Sequence, residues 1–217
     1  TFYLRGADYG YEKNDFRDPF VFRGDDNLYH MLVSAKKGGK GVLAEWTSTD
    51  MKEWNHKGVF MTYMWDRFYE CPDVFKMGDW WYLVYSEQHN AIRRVQYFKG
   101  RTLDELKACT RNDAGLWPDA HEGFLDSRGL YAGKTASDGT NRYIWGWCAT
   151  RSGKDNTKAL EWAGNLVAHN LIQHEDGSLT LGEVPGIAAK FNNATTPAIA
   201  AKSDGNGEGD ASNLKLT

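Results

Sequence analysis

The chain has 217 residues, of which 41% are hydrophobic and 25% charged, and its formal net charge is −3. That length suits a single domain with a sizeable core, and that charge gives no electrostatic footprint for nucleic acid. No apolar run approaches the roughly 18 residues of a membrane span, and no basic segment leads into an apolar block as in a signal peptide.

From the N-terminus onward the signals are those of strands: short β-branched and aromatic runs broken by turn sequences. The first run, "RDPFVF" from Arg17, ends at the turn signal "RGDDN" and is followed by "LYHML" and "GVLAEWTST". A second run, "ECPDVF" from Glu70, meets the turn "MGDW" and leads into "WYLVY" and "IRRVQYF". Helix-forming stretches are scarce, and the best candidate is "TLDELKACT", residues 102–110, where Thr102 is placed to cap and Glu105 stands three residues on, as in a capping box. A third run, "YAGKT", follows, with turns "SDGT" and later "EDGS".

These runs are copies of one unit. Superposing the stretch from Arg17 on the stretch from Glu70 pairs Pro19 with Pro72, Val21 with Val74, Phe22 with Phe75 and Tyr29 with Tyr82, all at the same offset of 53. A further offset of 61 pairs Val74 with Thr135, Gly78 with Gly139 and Tyr82 with Tyr143. A unit of roughly 40 to 50 residues with four strands is the signature of a propeller blade. The expected fold is therefore all-β, with about three blades over residues 1–190 and a low-complexity linker, or the start of a further β domain, over 191–217.

Blades stack radially with their first strands around a channel, so residues at one end of those strands converge on one mouth. Arg17 and Asp18 open the first copy, Glu70 the second, and Asp126 lies just ahead of the third. Acidic residues at equivalent points, next to or nearly next to proline, read as a functional pair; an arbitrary Asp or Glu would be read as a turn cap or ion-pair partner. Paired carboxyl groups are what glycoside cleavage requires, because the leaving oxygen is protonated while positive charge grows on the sugar. The 9 Trp, 11 Tyr and 10 Phe suit sugar platforms and β cores alike.

Taken together, "FRDPFVF", "YECPDVF", "DSRGLYAGKT" and "YIWGW" resemble the successive motifs of glycoside hydrolase family 32, the β-fructosidases, over residues 16 to about 185. The resemblance implies a five-bladed propeller and a retaining hydrolase of sucrose-, levan- or inulin-type fructosyl linkages, secreted or periplasmic. It assigns Glu70 as general acid and base, Asp18 as the stabiliser of the transition state, and Arg17 as a flank of the sugar. Asp126 corresponds to an aspartate at the mouth of the site, and Trp147 to an aromatic residue near it; Trp147 is read equally as a core ring between blades. The nucleophile of the family lies in a Trp-Met-Asn-Asp-Pro-Asn-Gly type motif upstream, which neither Asp8 nor Asp15 matches. The chain alone is thus expected to be inactive and to need upstream blades or a second chain to cover two open blade faces. A non-catalytic fructan-binding propeller and an arabinanase- or xylosidase-like glycosidase are the alternatives.

Other motifs carry less. Cys71, Cys109 and Cys148 form no CxxC pair and are an odd number, so neither a disulfide framework nor a zinc site is expected. "DGNGEGD" begins like a calcium loop but has Lys215 where a bidentate Glu is required, and His121 and Glu122 lack a second His. No metal and no cofactor are expected.

Overall fold

A computed structural model describes residues 3–62, 68–87, 94–109, 122–125, 129–154, 158–188 and 190. Among these residues, three four-stranded antiparallel sheets succeed one another. The first is a meander of β1 (Phe16–Arg23), β2 (Tyr29–Lys37), β3 (Lys40–Ser48) and β4 (Asn55–Thr62). The second contains β5 (Tyr69–Met77), β6 (Trp80–Glu87), β7 (Arg94–Gly100) and β8 (Glu122–Phe124). The third contains β9 (Tyr131–Ser137), β10 (Arg142–Arg151), β11 (Leu160–Gln173) and β12 (Leu179–Gly182). First strands neighbour one another, β1 beside β5 and β5 beside β9, which is the radial stacking of propeller blades.

The turn sequences lie where the chain reverses. "RGDDN" joins β1 to β2, "MGDW" joins β5 to β6, "SDGT" joins β9 to β10 and "EDGS" joins β11 to β12. Between Lys37 and Lys40, which pair directly, Gly38 and Gly39 both have positive φ, 59° and 74°, as a type I′ hairpin demands. The helical candidate forms α1 (Leu103–Ala108), and the Thr102 hydroxyl accepts from the Glu105 N–H at 3.1 Å. The capping box is not reciprocal, however: the Glu105 carboxylate takes the N–H of Arg101 instead of that of Thr102.

The middle strands of blades one and two are buried on both faces. Along β6, Trp81, Leu83 and Tyr85 point into a core shared with blade one, through Phe22, Leu32, Leu43 and Met61. Tyr82 and Val84, at the alternate positions, point into a core shared with blade three, through Leu130, Ile144, Leu171 and Leu179. Period-two alternation thus sends one strand's side chains into two different cores. The far face of blade one is covered by the segment before β1. Tyr11, 4% exposed, joins Met31, Val33, Val42 and Trp46, with Leu4, Tyr9 and Phe16 packed against them. Of the two blade faces expected to be open, this one is closed by the chain itself. On blade three, Trp145, Leu166 and Ile172 are exposed.

The compact unit ends at Val184, and Pro185–Thr217 forms a separate unit that contains α2 (Pro185–Ala188). Residues 191–217, read as a linker or the start of a further β domain, lie outside the described residues. Among the described residues no helix is long and apolar enough to cross a membrane.

Candidate active site

Each first strand breaks its pairing with the second at the same point of the repeat. In β1 the register shifts between Arg17 and Phe20, and in β5 between Glu70 and Asp73. In the third blade it shifts between Trp145 and Trp147, opposite Lys134 and Tyr131. The residue inside each bulge is in the left-handed region: Asp18 at φ 55°, Cys71 at 51° and Ala132 at 54°. None is glycine, so each conformation costs about 1–3 kcal/mol and must be held by its surroundings. Bulges of this kind turn side chains out of the pleat and cluster beside active sites. Pro19 and Pro72, which have no N–H to give to a ladder, sit where no ladder bond is lost.

The residue before each bulge, Arg17, Glu70 or Tyr131, is thereby aimed at the same point. Arg17 Nη2 donates to Glu70 Oε1 at 2.7 Å, and the Tyr131 hydroxyl donates to Glu70 Oε2. Glu70 is held from both sides by neighbouring blades, with 17% of its side chain exposed. The Asp18 carboxylate accepts from the backbone N–H of Cys71 at 2.9 Å, which places it beside the residue that follows Glu70. Arg17 also donates to Asp15 at 2.8 Å and lies 3.9 Å over the ring of Phe68. Trp147 pairs with Tyr131 across the β9–β10 ladder, and the two rings meet edge to face at 6.3 Å.

Charge in this cluster follows from burial and pairing. Burial opposes the Arg17 charge, but Glu70 and Asp15 more than offset it and raise its pKa above the ordinary value. Burial acts likewise on Asp15, yet Arg17 and Lys36 hold its carboxyl below the usual range. Burial, reinforced by Asp18, pushes the Cys71 thiol up to about 11, so it is neither a thiolate nucleophile nor a ready metal ligand near neutral pH. Asp73, 1% exposed, accepts from the Thr135 N–H and ties blade two to blade three; burial raises its pKa. Among the described residues, no three His, Cys, Asp or Glu side chains gather as a metal site.

Of the residues singled out in the sequence, Arg17, Asp18, Glu70 and Trp147 come together at one end of the first strands. Asp126 lies outside the described residues. Tyr131 was missed. Its signal was available, since the offset that pairs Val74 with Thr135 also carries Glu70 onto Tyr131.

A cluster with a carboxylate on each of two blades, a guanidinium and a phenol is suited to polar recognition and proton transfer. A family model described as the N-terminal domain of glycosyl hydrolases family 32 matches residues 6–182. The chain belongs to glycosyl hydrolase family 32. Among curated family members, it is 31% identical over 189 residues to a sucrose-6-phosphate hydrolase of Vibrio alginolyticus, covering 78% of this chain and 37% of that protein. It is 29% identical over 190 residues to the β-fructofuranosidase insoluble isoenzyme CWINV2 of Arabidopsis thaliana, covering 78% and 32%. The chain thus spans about a third of the length of these relatives. In structure it is similar to fructan 1-exohydrolase IIa of Cichorium intybus, with a TM-score of 0.62, 18% identity and coverage of 83% of this chain and 37% of that one. The fold is a β-propeller of the family's kind, with three blades among the described residues.

Proposed function

We propose that these blades carry the acid/base half of a β-fructosidase active site, acting on fructosyl linkages of sucrose, levan or inulin type with retention of configuration. In this reading Glu70 protonates the leaving oxygen and later deprotonates the incoming water, the double duty that retaining cleavage requires. Asp18 accepts hydrogen bonds from two hydroxyls of the fructosyl ring, which strengthen as positive charge develops. Arg17 flanks the sugar, Trp147 lends it an apolar wall, and Asp126 stands at the mouth. The observation that carries the reading is the clamp on Glu70: Arg17 and Tyr131, from the blades on either side, each hold one of its oxygens. The names of the relatives, β-fructofuranosidase, sucrose-6-phosphate hydrolase and raffinose invertase, support the substrate class. A secreted or periplasmic location is part of the proposal, and cell fractionation tests it.

Retaining chemistry needs an attacking carboxylate as well. No motif of the 217 residues matches the one that supplies it in the family, so the chain by itself is expected to bind a fructosyl unit without cleaving sucrose. The second reading is a non-catalytic fructan-binding propeller, which shares the sugar-facing residues. Titration calorimetry with fructose or a short fructan tests what the two share: the wild-type chain binds weakly and Asp18→Ala does not. Equal affinity of the two proteins would refute the assignment. A chain extended to include the attacking carboxylate separates the readings, because only the enzyme then hydrolyses sucrose and loses most of that activity on Glu70→Gln.

A further inference from the structure

Beneath the Arg17, Glu70 and Tyr131 tier lies a second set of repeat-equivalent residues, Phe20, Asp73 and Lys134, each placed just after its bulge. Lys134 is the one cation of the three, and its side chain reaches both of the other blades. Its ammonium donates to the Pro72 carbonyl at 2.7 Å and lies 4.2 Å over the ring of Phe20. The side chain is half-buried, and burial lowers its pKa against the opposing pull of Asp73, Cys71 and Asp18.

The bond to Pro72 falls at a mechanically sensitive place. Glu70, Cys71 and Pro72 are consecutive, and Cys71 is held at φ 51°, a conformation that an L residue leaves unless it is restrained. Its N–H faces Asp18, so a relaxed bulge would turn Glu70 and release Asp18 together. A neutral strand-to-strand hydrogen bond would restrain the bulge less than an ammonium does, since hydrogen bonds from charged donors are about twice as strong as neutral ones.

We infer that Lys134 is a positioning residue of the fructosyl site: by gripping the Pro72 carbonyl it locks the Glu70–Cys71–Pro72 bulge and so sets Glu70 and Asp18 relative to each other. The inference rests on the proposed sugar site for its consequence, but its geometry is independent of it. It acts through backbone and touches no substrate. Asp73, by contrast, is sealed between blades and ties blade two to the Thr135 N–H of blade three.

Two variants and two readouts test this. Lys134→Met keeps the length and apolar stem of the side chain but removes the donor; Lys134→Gln keeps a neutral donor. In the 217-residue chain, Lys134→Met is expected to weaken fructose binding by about tenfold, the usual size of losing a charge-assisted hydrogen bond, and Lys134→Gln to recover part of that loss. Amide exchange at Cys71, followed by nuclear magnetic resonance, is expected to quicken by about the same factor in Lys134→Met, while amides of β6 keep their protection. Unchanged binding and unchanged Cys71 exchange in a folded Lys134→Met protein would overturn the inference. So would a uniform rise in exchange across all three blades, which would mark Lys134 as an ordinary strap between blades. If wild-type chain binds no fructose, the functional reading fails, and the Cys71 exchange still decides the role of Lys134.

Discussion

At the scale of single residues, the site is governed by what holds Glu70. Its two oxygens accept from Arg17 and Tyr131, which belong to the blades before and after its own. Tyr131→Phe removes one of these donors and keeps the ring, which is 8% exposed and packs against Trp147. Losing a hydrogen bond of this kind costs about 1 kcal/mol or somewhat more, so Tm is expected to fall by roughly 2–4 °C and fructose affinity by about fivefold as Glu70 loses its orientation. Tyr143→Phe is the matched control, since its hydroxyl bonds Asp138 in an exposed turn. Calorimetry in which both variants bind like wild type would show that Tyr131 does not orient Glu70 for the sugar.

At the scale of elements, the hairpin between β11 and β12 fastens blade three to blade two. The Tyr82 hydroxyl donates to the Gly177 carbonyl at 2.7 Å, Lys99 to the Asp176 carbonyl at 2.6 Å, and the Leu179 N–H to the Tyr97 hydroxyl at 2.9 Å. Gly177 has φ 78°, and a Cβ there would stand 2.4 Å from the ring of Trp80. Gly177→Ala therefore combines backbone strain with a clash, for a loss of about 1–3 kcal/mol. For a chain of this size that is a fall in Tm of roughly 2–10 °C, measurable by circular dichroism. An unaltered Tm would mean that the turn rearranges without loosening the blade. The bulges of β1, β5 and β9 are the opposite kind of element, with strain kept where side chains must leave the sheet.

At the scale of the whole molecule, charge is buried at the junction of blade one with α1. Both ring nitrogens of His30 face carboxylates, Glu45 at 2.8 Å and Asp26 at 3.1 Å, and Lys107 of α1 reaches Glu45 at 3.2 Å. Burial opposes the His30 charge, but Glu45 and Asp26 prevail and raise its pKa. Burial is likewise outweighed by His30 and Lys107 at Glu45, whose pKa is lowered. A raised His contributes stability that is complete below its unfolded pKa of about 6.5 and is lost as pH rises through the higher folded value. A lowered Glu contributes stability that is present above its unfolded pKa of about 4.3 and is lost as pH falls through the lower folded value. Both contributions are present from about pH 4.5 to 6.5. His30→Gln is expected to lower Tm by about 3–10 °C at pH 6, and the gap from wild type should narrow as pH rises beyond the folded His30 pKa. A gap independent of pH would show that His30 acts by packing alone.

The sequence by itself determined the unit and its neighbours. Its constant offsets, its four turn sequences and the Thr102 cap are local signals, and local chemistry suffices to place hairpins and a single short helix. The offset that joins Glu70 to Arg17 also carried the site, because equivalent ends of first strands must meet in any propeller. What the offsets could not show was how those ends are aimed. The left-handed residues are Asp, Cys and Ala instead of glycine, so the bulges have no compositional mark, and Tyr131 reads as one more apolar residue of a β run. Only the tertiary structure decided that Arg17 and Tyr131 grip the two oxygens of Glu70, that Lys134 reaches two other blades, and that the segment from Leu4 to Phe16 covers the far face of blade one. Those contacts join residues far apart in sequence, and their geometry depends on how successive blades pack through the cores they share.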